Sequence, residues 1–576
     1  MRWRGRAAAA AGVTAAALLL PAAASAHAYL VHTVPAASVT VNVPPPAVSL
    51  TFDEAVEPRF ALISVTDVDA HQETSGPLHR SPSNPDTLIV PLKRVPEGWY
   101  LVYWRAISVD GHPVQGAFTF AVGPSPGPAP QFTIPHISQT ATTTPLLLAR
   151  WAVFLTVMSA IGLFVLRIVI ARPVVQRVGG AELTALSWAF VVASVLSLAA
   201  IPVYLEEATA VDSLRSFFAV NDLVPLWRTT AFGRGYYDME LCVGLFCLAG
   251  WSAIWLDRPR EPRRTVVSLL ATTGALGAAA AVLVFPGAAG HAAQTAPRGV
   301  SVLLDWLHLV SGSLWLGGLI GLLVLWWGLP AARRISGLIV CVPRFSNVAF
   351  VSVLVLLGTG VGASILHLPL VSALWQTSYG KVILIKAALL TATLPLAAVN
   401  LLRNKPGLLA AAGDPSRGER PARLLRRLVG GEALLVAAAV FAAALLSSLA
   451  PPPPAFAEQA SALVKVGPGR VAATTNRLGY ELQVLVNPNR AVAPNAFGLR
   501  ITRNGRPVRG ADVTLTFAML DMQMPQQEYQ LTETAPGVYS RTTPALVMVG
   551  HWGLSFNVTP KGGEPFTALI VDHATG

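Results

Sequence analysis

The chain has 576 residues, of which 53% are hydrophobic and only 12% charged, with a mean hydropathy of +0.54. Soluble domains are nearer a quarter charged, so this composition excludes a wholly soluble protein and leaves room for several domains around a membrane part. The net charge of +12 would suit nucleic acid, but its placement, described below, gives it another purpose. Three cysteines without a CxxC spacing exclude a thiolate metal site and a disulfide framework, and there is no Walker A, GxGxxG or nucleophile-elbow pattern.

Residues 1–26 carry three arginines in the first six positions, an apolar run, and Ala24-Ser25-Ala26. That is the layout of a secretory signal peptide, and cleavage after Ala26 makes His27 the first mature residue. A terminal histidine offers an α-amine and an imidazole, two nitrogens that lose protons readily and chelate one ion, an arrangement that suits Cu(II).

From 27 to 123 short alternating runs such as "AVSLTFDEAV", "FALISVTDV" and "GWYLVYWRAIS" alternate with Pro, Gly, Asn and Asp. They predict an all-β sandwich, followed by an extended linker over 124–144. Eight apolar stretches long enough to span a bilayer follow within 145–450: 145–170, 183–205, 238–257, 265–286, 301–328, 344–366, 380–402 and 428–450. With the β domain outside, the four loops expected to be cytoplasmic hold 15 Lys and Arg and the three external ones hold four. That is the positive-inside asymmetry; the charge sets topology, and no nucleic-acid partner is needed. A Pro-rich linker (451–464) leads to a second external β sandwich over 465–576. The predicted fold is thus a multidomain membrane protein: an N-terminal all-β, immunoglobulin-like sandwich, an eight-span helical bundle and a C-terminal all-β sandwich.

Asp110 and His112, in "SVDGHPVQGAFTFAV", are two residues apart and share a face if the strand continues through them. With His27 they would supply one amine, two imidazoles and a carboxylate, a tetragonal Cu(II) set. Read alone, Asp110-Gly111 is a turn and His112 a surface residue. The post-signal "HAYL", the "VPAA", the "LTFDEAVEP" strand and the closing "SVDGHPVQGAFTF" resemble the CopC copper-binding family. That resemblance implies Cu(II) held by His27, Asp110 and His112. The Met-rich Cu(I) loop of some relatives is missing, and His32, where Ser is common, reads as a surface residue.

In the membrane part, "GHAAQTAPRGVSVLLDWLHLVSGSLWLGG" places His291 just outside the fourth span, and Asp305 and His308 on one face of the fifth. His367 closes the external end of the sixth. Intramembrane ionisable groups are functional candidates, and the topology brings these four to the external half as a copper entry site; each alone is an interfacial residue. The depth expected for Asp305 and His308 is about 6–11 Å below the external end. Lys386 lies about a turn and a half inside the seventh span, and Glu432 about one turn from the cytoplasmic end of the eighth, depths that argue against a direct pair. Met158, Met239 and Cys242 are possible soft ligands, though an apolar-helix Met is ordinarily packing. "DWLHLVSGSLWLGG", "YGKVILIKAALL" with "NLLRN", and the Glu of the last span resemble the CopD copper-resistance membrane domain. CopC fused to CopD implies copper handling across the inner membrane.

Four of the seven methionines fall between 519 and 548. Met519, Met522, Met524 and Met548, with His551, make a Cu(I) candidate, thioethers being soft ligands; Met519 and Met548 read equally as core fillers. "NAFGLRITRNGRPVRGADVTLTF", "MQMP", "APGVY" and "MVGHWGLSF" resemble the YtkA-like (FixH-like) family. The expectation is a multi-pass protein of a bacterial cytoplasmic membrane that is not an enzyme: it captures Cu(II) and moves copper inward, with a reductant or a cuproenzyme such as an oxidase as further partners. The alternatives are a tethered copper chaperone or buffer without flux, and a histidine-brace oxygenase, which a fourth in-plane ligand from Asp110 disfavours.

Overall fold

The computed structural model describes residues 30–36, 39–52, 55–107, 113–127, 130, 132, 143–212, 222–293, 295–449, 451–452, 464–520, 527–547 and 550–575. The first domain is a sandwich of two four-stranded sheets. With β1 (Leu30–Val34), β2 (Thr40–Val41), β3 (Ala47–Phe52), β4 (Leu62–Thr66), β5 (His79–Arg80), β6 (Thr87–Pro91), β7 (Gly98–Ile107) and β8 (Pro113–Val122), the orders are β1-β3-β6-β5 and β2-β8-β7-β4. The alternation "AVSLTF" buries Val48, Leu50 and Phe52 between the sheets, as a period of two requires.

Strand β7 is different: its last eight residues are all buried. Tyr100, Val102, Trp104 and Ala106 face the sandwich core. On the other face Leu101 and Tyr103 pack with Ala491 and Val492 of the C-terminal domain. Arg105 donates to the carbonyl oxygen of Val211, at the end of the second span, at 3.2 Å, and Ile107 joins the buried cluster of the membrane bundle. One strand therefore touches all three domains. A near-continuous apolar run is the mark of a strand covered on both faces.

Among the described residues, eight helices are long and apolar enough to cross a membrane: Thr144–Arg177, Thr184–Val211, Phe232–Leu256, Val266–Ala288, Arg298–Gly328, Ala331–His367, Ser378–Ala410 and Ser416–Leu446. An even count returns the chain to the side it left, so both β domains belong to one side of the bundle. The first and fifth spans are the most enclosed. They meet through Gly162 and Gly317, where a Cβ added at Gly317 would lie 2.5 Å from the Gly162 Cα; small residues let helix backbones close up in this way. On the far side Asp257 is buried between Arg167 at 2.9 Å and Arg172 at 3.2 Å.

Several helices run beyond the apolar stretches that announce them. The fifth starts at Arg298, so Asp305 and His308 lie about 10–15 Å from its β-domain end, deeper than the sequence suggests. The eighth contains a helix from Glu419, not 428, which puts Glu432 thirteen residues in, near mid-helix rather than one turn from the end. The added turns are rich in arginine, and an apolar window discards them.

The C-terminal domain is one ten-stranded sheet running between Val464 and Ala574 and folded on a core containing Phe497, Phe517, Trp552 and Phe556.

Candidate functional site

The fifth, sixth and seventh spans each bring one polar side chain to a single point. His308, from the fifth, places Nδ1 2.9 Å from Thr359 Oγ1 of the sixth. The Thr359 hydroxyl already donates to the Val355 carbonyl at 2.7 Å, a helical back-bond. It must therefore accept from His308 Nδ1–H. This fixes the tautomer: Nε2 carries the lone pair. Lys386 Nζ, from the seventh span, sits 3.1 Å from that nitrogen and donates to it. Lys386 thus partners His308, and a direct bridge to Glu432 is absent among the described contacts, as the depths predict.

His367 repeats the arrangement. Its Nδ1–H donates to the Ala363 carbonyl one turn back at 2.8 Å, leaving Nε2 as the lone-pair nitrogen, and the ring stacks near Tyr379 with centroids 6.5 Å apart. A histidine whose Nδ1–H is tied to an oxygen is the usual form of a metal-ligating imidazole.

Both rings, with His291 and Asp305, line one cavity of about 980 Å³. It runs from Leu146, Leu370 and Ser448 at the β-domain end to Thr393 and Val436. The cavity thus brings together all four membrane residues singled out in the sequence. The carboxyl of Asp305 is accommodated by Gly287, where a Cβ would stand 2.6 Å from Asp305 Oδ2. Asp305 and Lys386 interact electrostatically. Of the soft-ligand candidates Met158 lines the cavity; Met239 is packed in the bundle core and Cys242 packs against it. Lys386, Thr359 and Tyr379 as cavity groups were missed as a set. Lys386 alone had a signal, a charge in an apolar helix.

The donor set is chemically apt for copper: neutral imidazole nitrogens, a carboxylate and one thioether. Nearer the first domain, His27, Asp110 and His112 lie outside the described residues. The residues flanking the last two are described: Ile107 pairs with Pro113 between β7 and β8, and Ile107 joins the buried cluster of the membrane bundle.

In the C-terminal domain Met519 is core, 4% exposed and paired with Trp552. Met522, Met524 and Met548 lie outside the described residues. His551 is exposed and faces His573 across the strand pair, ring centroids 4.5 Å apart. The buried Asp572 takes a hydrogen bond from Asn489 Nδ2 at 2.8 Å, and burial pushes its carboxyl up to about 6.

Comparison with known proteins agrees domain by domain. Residues 30–123 match the CopC domain, 339–446 match copper resistance protein D, and 474–556 match the YtkA-like family. The chain is 26% identical over 390 residues to the copper transport protein CutJ of Bacillus subtilis, covering 67% of this chain and 69% of that one. It is 39% identical over 98 residues to YobA of Escherichia coli K12, covering 17% of this chain and 79% of that one. The crystal structure of CopC from Methylosinus trichosporium OB3b matches at 31% identity with a TM-score of 0.16, covering 18% of this chain and 98% of that one. A CopC domain, a CopD membrane region and a YtkA-like domain in this order place the chain in the CopC–CopD family of copper resistance and transport proteins.

Proposed function

We propose that the protein captures Cu(II) on the outer face of the cytoplasmic membrane at His27, Asp110 and His112, and that, after an external one-electron reductant has converted it to Cu(I), the ion passes inward through the cavity of His308, His367, Asp305 and His291. The observation that carries this reading is the pair of cavity histidines, each with Nδ1–H bonded to an oxygen so that Nε2 is left to coordinate a metal. The packing of Ile107, which precedes the segment of Asp110 and His112, into the bundle that contains the cavity supports transfer from one site to the other. Lys386 serves as a resident cation: in the empty cavity it occupies His308 Nε2, and arriving copper displaces it. A fourth in-plane ligand from Asp110 would leave no open position for dioxygen, which favours a carrier over an oxygenase.

Radioactive copper uptake into proteoliposomes tests this. The mature chain should take up copper, His308→Ala should abolish uptake, and His27→Ala should weaken it at low copper only. Tight copper binding lost in His27→Ala, without uptake under any gradient, would instead make the protein a tethered chaperone.

A further inference from the structure

Glu432 is a carboxyl group that the copper sites do not use, and it lies at the centre of the membrane bundle. It is 3% exposed. Asn400 of the seventh span donates to its Oε1 from Nδ2 at 2.5 Å, and Asn404 Nδ2 donates to Asn400 Oδ1 at 2.7 Å. These two asparagines open and close a π-helical turn, Asn400–Asn404, an insertion that recurs at functional sites. Asn404 is 1% exposed and its Oδ1 has no hydrogen-bond partner among the described residues. The cluster therefore holds a buried acceptor that lacks a donor.

The charges on neighbouring elements are engaged elsewhere. On the seventh span, Lys386 is fourteen residues from Asn400, about 21 Å along the helix, and bonds His308; Lys405 reaches Asn347 of the sixth span at 3.1 Å, and Arg403 is exposed. On the sixth, Arg344 turns back to the Val340 carbonyl and Arg334 lies over Trp326 of the fifth. On the eighth itself, Arg426 also covers Trp326 and Arg423 pairs with Glu419. Arg150 of the first span bonds Tyr204 and Ser448, and Arg167 bonds Asp257. Asp305 and His308 of the fifth line the cavity above.

An ionised carboxylate buried with one neutral donor is costly, and a cation or a proton removes the cost. Val436, one turn above Glu432 on the same helix, lines the cavity floor. Glu432 therefore lies about 6 Å along the helix beyond the cavity lining.

We propose that Glu432 is a proton-binding site that couples copper movement to protons by exchange. A single carboxylate in so dry a place neutralises one cation at a time. Copper and a proton therefore compete for it, and copper passing inward is replaced by a proton passing outward. This rests on the transport reading above and adds the coupled ion.

Two measurements on the full-length protein test it. In nanodiscs, pH-difference infrared spectra should show the carbonyl stretch of a protonated carboxylic acid that disappears in Glu432→Gln and persists, shifted, in Glu432→Asp. In proteoliposomes, one-for-one exchange makes each ten-fold proton gradient shift the equilibrium copper distribution about ten-fold, with an acidic interior favouring uptake. Glu432→Gln, which keeps the acceptor for Asn400, should make whatever copper flux it retains indifferent to the gradient; Glu432→Asp should respond to it. Absence of the carboxyl band between about pH 4 and 9 would overturn the proposal, as would gradient dependence surviving in Glu432→Gln. Copper flux independent of pH in the unaltered protein sinks the coupling alone. No flux under any gradient sinks the transport reading, and the coupling with it.

Discussion

Replacing Lys386 by leucine should make the cavity bind copper more tightly, which is the opposite of what deleting a ligand would do. In the folded protein Lys386 Nζ stands 3.1 Å from His308 Nε2, the only lone pair that the Thr359 contact leaves on that ring. Copper must break this hydrogen bond before it can coordinate. A hydrogen bond to a charged donor is worth about 1.5–3 kcal/mol, so its removal alone should tighten binding about 10- to 100-fold at ~1.4 kcal/mol per decade. Repulsion adds to this: two unit positive charges ~4 Å apart cost about 4 kcal/mol at an effective dielectric of ~20. Part of that is relieved when the ammonium turns toward Asp305, its electrostatic partner. The hydrogen bond therefore sets the lower limit. Leucine is preferred to methionine because a thioether would add a copper ligand. The assay is Cu(I) competition against a chromogenic chelator in a His27→Ala background, which silences the capture site, with turnover followed as radiocopper flux. Lys386→Leu should bind at least about ten-fold tighter and release copper more slowly. A folded Lys386→Leu protein with equal or weaker affinity would refute the displacement argument.

Thr359→Val removes the acceptor for His308 Nδ1–H, leaves a buried donor unpaired at about 1–3 kcal/mol, and frees the ring to move its proton to Nε2. Copper affinity of the cavity should fall about 5- to 100-fold, and Thr359→Ser should restore it. Gly287→Ala places a methyl 2.6 Å from Asp305 Oδ2; the carboxylate must move, and copper uptake should drop while thermal stability falls by no more than about 1–3 kcal/mol. In the C-terminal domain, Asp572 titrates at about 6 in the fold, raised by burial, against about 4 in an unfolded chain. The native state then holds more protons than the unfolded one between these values. Stability is lost as pH rises from about 4 to 6, by up to about 3 kcal/mol from this group. Asp572→Asn, which keeps the acceptor for Asn489, should flatten that decline, as read by hydrogen-exchange protection of residues 566–574; an unchanged pH profile would remove Asp572 as its cause.

The residues reveal some of this directly and conceal the rest for definite reasons. The alternation of "AVSLTF" and the arginine-rich loops are local signals, and they specify the sandwich and the eight crossings without tertiary information. Asp305 and His308 are three apart on one helix, so their shared face is also local. The partner of His308 is not: Thr359 and Lys386 come from two other helices, 51 and 78 residues away. No spacing rule links them. The depth of Glu432 was legible by another route. Its helix buries Ala422, Leu425, Val429, Glu432, Val436 and Val440, steps of three and four that run through "ERPARLLRRLVGGE" as an amphipathic stripe. A criterion of pure apolarity cut that stripe at 428. The double-sided burial of β7 had its sign as well, since "LVYW" leaves neither face polar, yet which domain covers which face emerges only once the three are assembled.

A lysine in a copper cavity looks like a fault until the charges are summed. Around His308 the empty cavity holds one carboxylate, Asp305, and one ammonium, Lys386, which offset each other, while Arg150 lies toward the β-domain end, bonded to Tyr204 and Ser448. That balance matters because an unpaired buried charge costs several kcal/mol. Monovalent copper entering at His308 Nε2 takes over the role of cation to Asp305, and the ammonium must yield. A sodium or potassium ion, a hard cation that prefers oxygen to imidazole, gains little at Nε2 and has no means of displacing the lysine. On the transport reading proposed above, the side chain that offsets Asp305 in the empty cavity is also the one that would admit copper and reject the abundant monovalent cations. One turn below the cavity floor the same accounting recurs with Glu432, where a proton takes the place that Lys386 takes above.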